Sequence, residues 1–130
     1  MHVLRNVHQA LVGGGLLLDV HPLGADIPVR AGSHGLGFVD ARRFARIVDA
    51  MDACVDAVVE EGLFGEVRTL RRHVAERFET AAEALEHASE WQNLRLPAAV
   101  RRRLEESEER PVELVESIRY RLLRKQSPAA

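Results

Sequence analysis

The sequence predicts a mixed α/β fold, and three observations carry that expectation. Leu16 to Val20 form a continuous apolar run between Gly13–Gly15 and Pro22, the pattern of a strand covered on both faces as in parallel sheets. Phe44, Ile47, Val48, Met51, Val55 and Val58 recur at helical spacing after Asp40, with Gly62 closing the run, as expected of a long amphipathic helix. Val112, Leu114, Ile118, Tyr120 and Leu122 alternate with mostly charged residues, the period of a strand with one exposed face. A helix through Leu114, Ile118 and Leu122 is the competing reading of that last segment.

The remaining elements follow in order. Val3, Leu4, Val7 and Leu11 mark a short amphipathic helix over residues 1–11, stopped by the three glycines. Ile27–Arg30 and Leu36–Val39 flank a glycine-containing turn and predict a small hairpin. Asp40 is placed to cap the long helix. Leu70, Val74 and Phe78 fit either a helical or a strand face; residues 67–78 are read as a strand. Thr80 and Glu83 form a capping box that opens a helix running to about Trp91. Pro97 starts another helix through Val100 and Leu104, since its missing donor is harmless in a first turn. The expected organisation is one domain over residues 1–125 and a disordered tail over 126–130.

Composition excludes several function classes. The chain has 130 residues, enough for one domain with a real core. Eighteen basic against twenty acidic side chains give a net charge of -2, so overall charge argues against nucleic acid and anionic membrane as partners. A single cysteine, Cys54, excludes an intramolecular disulfide and fits a cytoplasmic setting. No apolar run reaches the roughly 20 residues of a membrane-spanning helix. The one lysine, Lys125, leaves almost no scope for Schiff-base chemistry.

The stretch Ala10–Pro22, "ALVGGGLLLDVHP", together with the order of elements, resembles the C-terminal half of a class I S-adenosylmethionine-dependent methyltransferase. In that family a helix ends in a leucine, a basic residue, proline and two glycines before the fifth strand of a seven-stranded sheet. Leu11, Gly14 and Gly15 match, whereas Val12 and Gly13 stand in place of the basic residue and proline. The resemblance implies a partial Rossmann-like methyltransferase sheet, made of C-terminal strands plus a small hairpin, with the long helix and two or three further helices. It also implies that the N-terminal cofactor-binding strands, with their glycine-rich loop and acidic residue, are lacking. Gly13–Gly15 precede their strand, whereas a nucleotide loop needs glycines at a strand's carboxyl end. No cofactor is therefore expected for the chain alone; S-adenosylmethionine is expected only if another N-terminal half completes it.

Asp19 and His21 lie two apart on the apolar strand and so share a face, with His21 near the carboxyl end where open α/β sheets bind ligands. The resemblance makes them, with Trp91, substrate-side candidates; the competing roles are a capped strand-end histidine and a tryptophan packing a helix end. The histidines show no metal-ligand spacing, and no metal site is expected. Arg101–Arg103 resemble a phosphate clamp but precede Glu105, Glu106, Glu108 and Glu109, and are read as a salt-bridged helix face. The expected function is a substrate-side methyltransferase half unable to transfer methyl groups alone, with a noncatalytic dimerisation or partner-binding module as the alternative. Either way Leu16–Val20 should present a strand edge to a homodimer mate or a partner chain.

Overall fold

The computed structural model describes residues 2–23 and 26–127. The order is α1 (His2–Ala10), β1 (Leu16–Leu23), β2 (Pro28–Ala31), β3 (His34–Phe38), α2 (Arg42–Glu60), β4 (Phe64–Phe78), α3 (Ala81–Ser89), α4 (Ala98–Glu106) and β5 (Val112–Lys125). Both ambiguous segments, β4 and β5, are strands. They pair along almost their whole length, from Phe64 opposite Lys125 to Phe78 opposite Val112.

Strand β5 organises the sheet. β4 lies along one side; β1 pairs with residues 117–124 on the other, and β2 with residues 112–114. The hairpin partner β3 closes that end. All these pairings are antiparallel, so the parallel sheet expected from the Leu16–Val20 run is not formed among the described residues. β1 and β4 nevertheless run in the same direction, because each is antiparallel to the β5 between them.

Side-chain alternation assigns the two faces. Leu17 and Leu123 point to one face and pack with Val55, Val58 and Phe64, and with Leu4, Val7 and Leu11 of α1 and its following turn. Val112 and Leu114, of opposite parity, point to the other and join Val29, Ala84, Val100 and Leu104 in a second core. Thus α1 and α2 cover one face, and α3 and α4 cover the other only at the β2–β3 end.

Local chemistry explains the elements, with three corrections. The α1–β1 turn is closed by Gly15 N–H donating to the Val12 carbonyl at 2.9 Å. Gly14 adopts φ +74° there, and a Cβ on Gly15 would lie 2.9 Å from the Val12 oxygen, so the glycines serve the turn itself. Asp40 does not cap α2 in the ordinary position: the N-cap is Ala41, although Asp40 Oδ1 accepts from Arg42 N–H at 3.2 Å. The buried stripe of α2 is Val48, Val55 and Val58, while Ile47 and Met51 are exposed. The capping box forms, with Glu83 N–H donating to Thr80 Oγ1 and Glu79 N–H to Glu83 Oε2.

The third correction concerns β1. It pairs only with β5, so it is a sheet edge among the described residues and is not covered on both faces. Leu16, Leu18 and Val20 are 50%, 56% and 46% exposed, because α3 and α4 do not extend over this end. Gln126, placed by sequence in the tail, donates its backbone N–H to the Leu63 carbonyl at 2.9 Å, and its own carbonyl lies 3.0 Å from His8 Nε2; residues 128–130 lie outside the described residues. No helix is long and apolar enough to cross a membrane.

Candidate functional site

Alternation along β1 turns Asp19 and His21 inward, onto the face beneath α2. Their cross-strand partners on β5 are Arg121 and Arg119, and α2 supplies Asp52 and Asp56 from above. Glu66 of β4 completes the group. Four carboxylates thus surround two guanidinium groups and one imidazole, in the layer where a helix–sheet contact is normally apolar.

His21 is 7% exposed. Its Nε2 lies 3.1 Å from Asp52 Oδ1, and its Nδ1 lies 3.4 Å from Asp19 Oδ2. The latter contact is not aligned as a hydrogen bond, and Asp19 Oδ2 is a buried oxygen with no donor. The Arg119 guanidinium donates to Asp52 Oδ1 and lies 3.3 Å from His21 Nε2. A neutral His21 accepts from Arg119 through Nε2; a protonated one places both N–H groups toward carboxylates.

Arg121, also 7% exposed, donates through Nε to Glu66 at 3.0 Å and through Nη2 to Asp56 at 3.1 Å. Burial opposes its charge, but the hydrogen bonds it donates to Asp56 and Glu66 outweigh that effect and raise its pKa. Glu66 is held below its ordinary pKa, first by the Thr69 hydroxyl and against the opposing effect of desolvation, with Arg121 adding to the lowering.

Ligand atoms of Asp19, His21 and Asp52 lie within 4.8 Å of one another, a spacing that could hold a metal ion. Arg119 already occupies the Asp52 oxygen and the His21 Nε2 direction. A cation would compete with that guanidinium, and the arrangement is an internal ion-pair network.

Asp52 also lines a pocket of about 370 Å³ with Asp49, Arg71, His73 and Ser117. Ser117 Oγ lies 3.1 Å from His73 Nδ1. The two are direct cross-strand neighbours, and among the described residues no carboxylate bonds His73 to orient it, so the pair lacks the third member of a nucleophilic triad.

Trp91 lies elsewhere. It follows α3, packs edge-on against His87 with ring centroids 6.1 Å apart, and lines a different, larger pocket. The fold therefore brings Asp19 and His21 together and keeps Trp91 apart from them. Arg101 lines the Trp91 pocket, and Arg103 donates to the Leu36 carbonyl at 2.8 Å. The expected ion pairs from Arg101–Arg103 to the following glutamates do not form among the described residues; Glu109 instead contacts His34.

Sequence reasoning missed Asp52, Asp56, Arg119 and Arg121. One signal was present: Asp52 and Asp56 are four residues apart and interrupt the Val48–Val55–Val58 stripe of α2. The alternation that placed Asp19 with His21 also places Arg119 with Arg121. Comparison of the chain with protein-family models, curated proteins and solved structures finds no match.

Proposed function

We propose that the chain is a methyltransferase-like, substrate-side half that does not bind S-adenosylmethionine or transfer methyl groups alone, and that an N-terminal half outside residues 1–130, in the same or a partner polypeptide, completes it at β1. The observation that carries this reading is the state of β1. One edge pairs with β5, the other meets no strand among the described residues, and Leu16, Leu18 and Val20 stand half-exposed beside it. An unpaired edge flanked by apolar side chains is a template for strand addition. Such an addition extends the sheet on the side where the resemblance puts the cofactor half.

The residues present do not fit the cofactor by themselves. Gly13–Gly15 lie at the amino end of β1, and the space beside Gly15 faces its own turn at Val12 and Leu11. Asp19 and His21 are the substrate-side residues of this reading. His21 contacts Asp52 at 3.1 Å beneath α2, and Asp52 reaches the adjoining pocket. Trp91 stays a substrate-side candidate only through its own, separate pocket.

A second reading, a noncatalytic dimerisation module in which two β1 edges pair, draws on the same exposed side chains. Calorimetric titration of the folded chain with S-adenosylmethionine and S-adenosylhomocysteine tests the first reading. No heat of binding is expected from the chain alone. Saturable binding would overturn the assignment of the cofactor site to an N-terminal half outside these residues.

A further inference from the structure

The larger pocket, about 860 Å³, lies between the N-terminal turn of α2, the loop after α3 and the start of α4. Its lining includes Arg42, Arg43, Arg46, Arg95 and Arg101 against one carboxylate, Asp40. The chain as a whole is slightly acidic, so this concentration of guanidinium groups is local. Asp40 is committed to Arg42 through two side-chain contacts, at 3.0 and 2.8 Å. Among the described residues, Arg43, Arg46, Arg95 and Arg101 enter no ion pair.

Three further features belong to the same place. Arg42, Arg43 and Arg46 occupy the start of α2, where the helix carries its own partial positive charge, and neither α2 nor α4 has an acidic residue in its first turn. Helix starts favour aspartate and glutamate, and Asp40 offsets only Arg42, so Arg43 and Arg46 oppose stability there unless an anion covers them. The wall is fixed: Asp40 N–H donates to the Arg95 carbonyl at 2.7 Å, and Arg95 N–H donates back to the Asp40 carbonyl at 3.1 Å. That bridge ties the loop carrying Arg95 to the α2 start. Trp91, half-buried, supplies an aromatic wall.

We infer that this pocket is a binding site for a small, multiply charged phosphate compound, held by Arg43, Arg46, Arg95 and Arg101. Planar guanidinium groups match phosphate oxygens two at a time, which suits a compact polyphosphate. A long nucleic acid would need a basic track along the surface, and the net charge of -2 opposes one. The site is separate from Asp19 and His21 and does not depend on the methyltransferase reading.

Trp91 is the only tryptophan, so its fluorescence reports on the pocket directly. Inorganic tripolyphosphate titrated into the folded chain at low salt should change that fluorescence saturably. The double variant Arg43→Ala/Arg46→Ala should weaken binding by about tenfold or more, as expected for lost charge-assisted hydrogen bonds. Arg72→Ala, an exposed arginine of β4 outside the pocket, should leave binding unchanged. An unresponsive folded wild type, or equal weakening in both variants, would overturn the site. Tighter binding of a single-stranded oligonucleotide than of tripolyphosphate at physiological salt would also overturn it, in favour of nucleic acid.

Discussion

The two faces of the sheet around β1 invert the usual distribution of polarity. Beneath α2 lie Asp19, His21, Arg119 and Arg121, with His21 and Arg121 buried and Asp19 and Arg119 partly so. On the opposite face Leu16, Leu18 and Val20 stand in solvent, and the row Val20–Tyr120–Leu70 crosses three strands without a helix above it. The covered face is held partly by ion pairs whose desolvation opposes their attraction. On the open face about half of each of the Leu16, Leu18 and Val20 side chains stays in water, where it contributes little to the monomer. That exposed apolar surface is what the proposed strand addition at β1 would cover.

Breaking the comparison starts with neighbouring residues of β5. Leu123 faces the covered side and is 0% exposed, so Leu123→Ala should cost about 2–5 kcal/mol in denaturant unfolding. Leu122, facing the open side, should cost about 1 kcal/mol or less. Equal losses would mean that the open face is already covered.

The ion-pair layer comes next. Asp52→Ala strips the carboxylate from both Arg119 and His21, and an orphaned partly buried guanidinium should cost about 2–3 kcal/mol, below the value for a fully buried pair. Unfolding at moderate and high salt sharpens this: the loss should persist, because screening acts weakly on buried pairs.

A smaller effect separates the carboxylates by pH. Glu66 lies below its ordinary pKa, chiefly through Thr69. Its contribution is present above pH 4.5 and is lost as pH falls through the lowered folded value. Glu116, at the end of the open face, is raised by burial and then by Glu76. Its penalty is absent below pH 4.5, grows as pH rises, and is complete above the raised folded value. Glu116→Gln should therefore raise the melting temperature at neutral pH and leave it unchanged in acid. A gain in acid would contradict the sign.

Much of the fold was legible because its signals are local. The Thr80–Glu83 capping box, Pro97 before α4, and the alternation of β5 each depend on residues a few positions apart. The alternation of Leu16–Val20 placed Asp19 and His21 on one face correctly. Whether that strand was interior could not be read locally, since a run of leucines looks the same at a covered position and at a sheet edge. The site was legible only in part. Asp52 reaches His21 through tertiary packing across 31 residues of chain, and the arginines around Trp91 come from α2, a loop and α4. Net charge concealed them, because it averages over acidic residues lying elsewhere.

The smallest effect on the monomer and the largest on its associations come from one substitution. Leu18→Lys places a charge on the open face and should change monomer stability by about 0.5 kcal/mol or less, while opposing strand addition at β1. Sedimentation of the wild type and Leu18→Lys over a range of concentrations tests the central claim most directly. Concentration-dependent association of the wild type, in which a second copy is the only partner present, is expected, with its loss in the variant. A wild type that stays monomeric at every concentration, indistinguishable from Leu18→Lys, would contradict the pairing of β1 edges between two copies.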